Sequence, residues 1–205
     1  MLLLYDPSPE LGEPLKQGEI LKNVWDYQAL RSASAPDGDK FAFEPIHRPF
    51  TVVMTRYCDL FQDHRERERL GRPPGEVALK APQVLLCEAF VEDEIRQVRG
   101  RMPSRIWRDV TSNQKARYHH LPRASVSEGE DVPSLTLDFT RILTLPADHL
   151  YKGVQSELVL RIAALPDVVR EGLIQRFASF ISQVSLPEEG DETPPLFIWR
   201  DVQVR

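Results

Sequence analysis

Cysteine is scarce in this chain: only Cys58 and Cys87 occur among its 205 residues. Two thiols are too few for a disulfide framework, and without a Cys-X-X-Cys pair no zinc-ribbon spacing exists. Long apolar runs are missing as well. No stretch approaches the ~20 residues needed to span a bilayer. The opening Met1–Tyr5 run meets Asp6-Pro7 at once, with no charged start and no small-residue cleavage site. A cytoplasmic location is therefore the expectation. An excess of positive charge is lacking too, since 26 Lys and Arg stand against 31 Asp and Glu, a net charge of −5. That balance argues against a protein coating nucleic acid with its whole surface, but it leaves room for a local basic patch.

What remains is the composition of an ordinary globular protein, 41% apolar and 28% charged, with enough length for one domain and its core. Residues 6–14 hold three prolines and a glycine and read as an extended lead-in. Leu15 to Asp26 is a first strand introduced by Gly18, and 31–40 is a polar loop with a Pro36-Asp37-Gly38 turn. Phe50–Thr55, β-branched and apolar, is a strand set up by Arg48-Pro49. His64 to Arg72 alternates in sign and reads as an exposed helical turn or loop. Val84–Val91 reads as a strand buried on both faces. Leu135, Leu137 and Phe139 alternate inward along another strand, which Ile142–Leu145 extends before Pro146.

Beyond residue 148 the period changes. Leu158, Ile162 and Leu165 fit one helical stripe, and Pro166-Asp167 opens a second helix with Val169, Leu173, Phe177, Ile181 and Val184 inward. Pro187–Pro195 is acidic and rich in proline, and Leu196–Trp199 could return as an edge strand. The fold expected is a single α+β domain over 1–205. It comprises an SH3-like small β-barrel over 15–145 with inserted loops, C-terminal helices over 148–186, and an acidic tail over 187–205.

The strongest local signal is 96–123. Arg96, Arg99, Arg101, Arg105, Arg108, Lys115, Arg117 and Arg123 stand there against one acid, Asp109, with Trp107 and Tyr118 among them. Guanidinium groups neutralise phosphates and aromatic faces stack on bases, so nucleic acid is one expected ligand. An acidic partner protein is another. A third reading is a solvated arm whose cations pair with the chain's own acids at 127–131 and 188–192. His119-His120 lies in the same segment, but neighbouring strand residues point to opposite faces, so no metal site is expected. Cys58 has Arg56 and His64 nearby in sequence, which allows an activated thiol. The alternative is a small core position, with Asp59 capping the next turn. No cofactor is implied.

The order Gly18-Glu19-Ile20, polar loop, Arg48-Pro49 strand, second apolar strand, Asp138-bearing strand and terminal helix resembles the PemK/MazF/Kid group. Those proteins are SH3-like barrels best known as toxin endoribonucleases. Gln17-Gly18-Glu19-Ile20 with Cys58-Asp59-Leu60 also resembles a group of uncharacterised bacterial proteins. The first resemblance implies a site of Arg48, Asp138 and Arg141, and commonly a homodimer. The pattern departs where it matters, because Thr136 stands where the toxins carry the cutting arginine and Ala89-Phe90 stands where a site Thr or Ser belongs. Without a positioned cation the phosphorane of RNA cleavage loses its stabiliser. The function expected is a non-catalytic binding module, an accessory subunit of a bacterial defence or mobile-element system that contacts a protein or nucleic acid through 96–123. The alternative is a metal-independent endoribonuclease.

Overall fold

The computed structural model describes residues 5–7, 9–32, 40–70, 81–97, 102–126 and 131–182. In chain order the elements are β1 (Asp6–Pro7), β2 (Glu19–Ser32), β3 (Lys40–Val53), α1 (Tyr57–Leu70), β4 (Gln83–Phe90), α2 (Glu92–Gln97), α3 (Ser104–Thr111), β5 (Tyr118–Leu121), β6 (Ala124–Ser125), β7 (Asp131–Val132), β8 (Leu135–Pro146), α4 (Ala147–Gln155), β9 (Leu160–Ala164) and α5 (Asp167–Ser182). Seven strands form one sheet in the order β1-β9-β2-β3-β4-β8-β5, while β6 and β7 make a separate hairpin. Every ladder among the described residues is antiparallel. The protein is thus α+β with an antiparallel sheet.

Alternation sends each strand to two cores. Ile20, Val52, Cys87, Ala89, Leu137 and Phe139 point into one, which α5 covers with Val169, Leu173, Phe177 and Phe180. Leu21, Val24, Val53, Val84, Leu86 and Leu145 point into the other, closed by Leu60 of α1 and by Leu150 and Val154 of α4. Burial on both faces explains the near-continuous apolar run of β4, because neither side of it meets water. None of the described helices is long and apolar enough to cross a membrane.

The sheet stays open. Among the described residues no ladder joins β1 to β5, so the closed barrel expected from sequence is not formed by their backbone pairing. One side chain reaches between the regions of the two outer strands: the Tyr5 hydroxyl, just before β1, donates to the Pro122 carbonyl, just after β5, at 2.8 Å.

Two further expectations need correction. The stripe at Leu158, Ile162 and Leu165 is no helix: Leu160–Ala164 is a strand that lies against both β2 and β1. Pairing with two neighbours outweighs a three-residue helical period. Arg48-Pro49 does not begin a strand but lies inside β3. The register steps from Lys22↔Phe50 to Val24↔Arg48, so the ladder passes over Asn23 and Pro49. Asn23 has φ 62° there, a left-handed conformation that Asn tolerates, and proline has no N–H to leave unbonded. Of the two alternatives for the charged stretch after His64, the helical one holds as far as Leu70, where it forms the second half of α1. The expected helix after Pro166 matches α5, although Ile181 of its stripe is exposed. Val184 and the tail expected over 187–205 lie outside the described residues.

Gly18-Glu19-Ile20 proves to be scaffold. Gly18 has φ 82°, and a Cβ there would come within 3.0 Å of the Arg170 side chain. The fully buried Glu19 pairs with Arg161, whose guanidinium also donates to the Glu10, Glu13 and Pro14 carbonyls. This one ion pair fastens the lead-in segment to β9.

Candidate functional site

The residues expected to form a ribonuclease site lie on β3, β4 and β8, around a break in register. Cys87 pairs with Ile142 and Ala89 with Leu137, so Glu88 alone stands across from residues 138–141. An irregularity of this kind re-aims side chains. Here it gathers charge. Arg48 and Arg141 both converge on Glu88, Arg141 at 3.2 Å, and Arg48 is also 3.6 Å from Asp26. The Arg141 guanidinium lies over the Phe90 ring, 5.4 Å from its centre.

Asp138 is fully buried and faces the next strand, opposite Tyr118. Arg117 grips it with two guanidinium nitrogens, the Nε contact being 2.8 Å, and the Thr140 hydroxyl and amide both donate to Oδ1. Burial would raise this carboxyl's pKa, but Arg117 and Thr140 more than offset it and hold Asp138 below the ordinary aspartate value. Asp138 is therefore an ionised acceptor with its lone pairs in use, not a base waiting for a proton. Thr136, at the position of the missing arginine, is buried and 3.0 Å from His120 Nδ1. By sequence Arg117 belongs to a binding arm. In the structure it supplies the cation that Asp138 lacked.

Comparison with protein-family models, curated proteins and solved structures gave no significant match. The chemistry of the surface has to be read from its residues alone.

The described residues of the basic segment pack around a third, small core. Ile95 of α2, Val110 of α3, Tyr118 of β5 and Phe90 pack together, with Met102 and Trp107 against them. Tyr118 is buried, so it offers no stacking face to a base. Trp107 is half-buried, its ring edge-on to His120 and beneath the Arg96 guanidinium. Four cations are neutralised within the chain: Arg96 by Glu92 at 3.0 Å, Lys115 by Asp109 at 3.5 Å, Arg117 by Asp138 and Arg123 by Asp131. Arg105 and Arg108 differ. Both are exposed on α3, three residues apart and so on one face, and among the described residues neither meets a carboxylate. Arg99 and Arg101 lie outside the described residues.

The two histidines point to opposite faces of β5, as alternation requires. His119 stacks on Phe139 in the α5-side core, where burial, then Arg176 and His120, push its pKa down to about 4. His120 faces Trp107 and Thr136. Cys58 is not a core residue at the end of a strand, since it is exposed in the first turn of α1. Arg56 there is engaged by Asp59 at 2.9 Å, and His64 Nε2 lies 2.9 Å from the Gly12 carbonyl. Cys87 is buried, and its thiol is pushed upward by burial and by Asp138 and Glu88. Glu88 was missed at the level of sequence. The available signal was a lone carboxylate inside the apolar run Val84–Phe90, which folding can bury only with a cation beside it.

Proposed function

We propose that the chain is a non-catalytic binding module, an accessory subunit of a bacterial multi-protein system of the defence or mobile-element kind. It contacts a protein partner through the outward face of α3. One observation carries the reading: every sheet residue expected to cut RNA is held in an internal ion pair, while Arg105 and Arg108 are exposed without one among the described residues. A phosphoryl-transfer site needs donors aimed at developing charge, and Arg48 and Arg141 are instead aimed at Glu88. Protein is favoured over nucleic acid because the buried Tyr118 and the paired cations leave little of a phosphate-tracking surface. The antiparallel sheet fits an SH3-like barrel left open between β1 and β5, and the support for this is the Tyr5–Pro122 hydrogen bond.

The test has two arms. Single-stranded RNA incubated with the pure protein and a chelator is expected to stay intact; cleavage would overturn the module reading. Tagged chain is expected to retain a protein partner after nuclease treatment, and to lose it on joint Arg105→Glu and Arg108→Glu. Loss of the partner on nuclease treatment alone would point to nucleic acid instead. The endoribonuclease reading keeps one supporting observation, the guanidinium that Arg117, just before β5, delivers to Asp138. It requires metal-independent cleavage that disappears on Asp138→Asn.

A further inference from the structure

Gln17-Gly18-Glu19-Ile20 and Cys58-Asp59-Leu60 lie far apart in the chain, and the α3 face uses neither. In the fold they meet. The Gln17 side-chain amide donates to the Met54 carbonyl at 3.0 Å, and the Gly18 amide donates to the Val53 carbonyl at 2.8 Å. The first motif is thereby seated against the end of β3, just before Tyr57 begins α1. Beside this junction is a cavity of about 240 Å³ that Gln17 and Tyr57 both line. Lys16 and Arg170 bring cations to it, Asp6 and Asp167 bring carboxylates, and Pro7, Ala164 and Leu165 supply apolar surface.

Both cations are set in place from behind. The Lys16 amide donates to the buried Glu19 carboxylate at 2.8 Å. The Arg170 side chain lies against Gly18, where a Cβ would come within 3.0 Å of it, so a glycine lets the two approach. Their acids within the chain hold them loosely. Lys16 is 3.4 Å from Glu13 and Arg170 is 3.0 Å from Asp167, whose side chain is 80% exposed. Surface pairs of this kind contribute little, so a ligand's carboxylate can take over either cation at small cost.

The geometry points to a binding site for a free α-amino acid with an apolar side chain. The ligand's carboxylate pairs with Lys16 and Arg170, its ammonium with Asp6 and Asp167, and its side chain lies on Pro7, Ala164 and Leu165. A simple anion would meet the two carboxylates as well as the cations, and a simple cation would meet the reverse. A zwitterion finds a partner for each of its charges. The volume is below the ~300–1,000 Å³ of pockets for drug-sized ligands, which favours a single residue over a nucleotide. This site goes beyond the docking role of α3 and does not depend on it, since neither Arg105 nor Arg108 lines the cavity.

An NMR titration of the isotope-labelled full chain tests this. Leucine and valine are expected to shift the amides of Lys16, Gln17 and Arg170 saturably, with a Kd below roughly 10 mM. N-acetylleucine lacks the ammonium and leucinamide lacks the carboxylate. Each should bind at least ~10-fold more weakly than leucine, because each forfeits charge-assisted hydrogen bonds. Arg170→Gln and Asp6→Asn should each weaken leucine binding by a similar factor. The comparison of analogues uses the wild type alone, so it decides the matter should a variant fail to fold. Absence of a saturable shift with leucine and valine overturns the proposal. So does either blocked analogue binding as tightly as leucine, or leucine binding that both variants leave unchanged.

Discussion

On the sheet, Arg48, Arg141 and Arg117 each lean on a carboxylate that is itself buried, Glu88 or Asp138. On the helix pair α2 and α3, Asp93, Glu94, Arg105 and Arg108 stand exposed, and no described residue neutralises them. The two regions adjoin, since Phe90 ends β4 and packs in the same small core as Ile95 and Val110. The difference lies in desolvation. A charge drawn off water by the sheet must be matched inside the fold, and once matched it is costly to disturb. A charge on a short surface helix keeps its hydration and stays available to another molecule. The sheet's charges should therefore govern stability and the helices' charges association, and substitutions can tell these apart.

The largest effect is expected at Asp138. Asp138→Ala removes the acceptor of Arg117 and leaves the guanidinium partly buried beside Thr140 without its partner. Breaking a buried pair from one side costs about 3–5 kcal/mol. Chemical denaturation should show that loss, with a lower midpoint. A change below about 0.5 kcal/mol would mean that the pair is a surface contact, and the contrast between the regions would fail.

His119 comes next and reads out as a pH dependence. The unfolded histidine protonates near its ordinary value of 6.5, whereas the folded one resists protonation down to about 4. Between these values the unfolded chain binds more protons, so stability is fully present above the unfolded pKa and falls as pH drops towards 4, with no further loss below. A pKa lowered from 6.5 to about 4 makes this loss about 3 kcal/mol. The His119 Nδ1 atom is buried and has no hydrogen-bond partner among the described residues, so His119→Leu removes a titrating group without removing a described bond at that nitrogen. Stability measured across this window should flatten in the variant; an unchanged slope would place the acid sensitivity elsewhere.

These two sites also mark how far the sequence could be read. The strands at 50–55, 84–91 and 134–145 and the helix after Pro166 were legible because alternation and the 3.6-residue period are local signals. β9 was not, since Leu160–Ala164 becomes a strand only by pairing with β2 and β1, contacts far away in sequence. The candidate site was half legible. Arg48, Arg141 and Asp138 could be picked out, but what they do depends on Glu88 and Arg117. Glu88 arrives from β4 through a register irregularity and Arg117 from just before β5, and no short motif encodes either placement. The basic segment was conspicuous as composition, yet composition does not reveal that Arg96, Lys115, Arg117 and Arg123 are matched while Arg105 and Arg108 are left. Pairing across the fold makes that division.

A smaller loss is expected at Glu88. In Glu88→Gln the side chain keeps its shape and one acceptor oxygen, but Arg48 and Arg141 lose the charge they share. Arg48 retains Asp26 at 3.6 Å and Arg141 is partly exposed over Phe90, so both stay partly compensated. Weakening charge-assisted hydrogen bonds in this way should cost about 1.5–3 kcal/mol. A loss as large as that of Asp138→Ala would show that the two ion-pair groups act as one unit.

The smallest effect on stability is expected at Arg105 and Arg108, and its smallness is the point. Both are exposed helix positions with no partner among the described residues, and alanine favours a helix at least as well as arginine. Each Arg→Ala change should therefore leave the unfolding free energy within about 0.5 kcal/mol of the wild type. The same substitutions should remove association, since they take away the charge that a second molecule reads. A destabilisation comparable to that of Glu88→Gln would mean that the arginines serve the fold through a contact within the chain, and the division between sheet and helices would have to be redrawn. Unchanged stability together with lost association is the one pairing of results that a docking face predicts and a structural role does not.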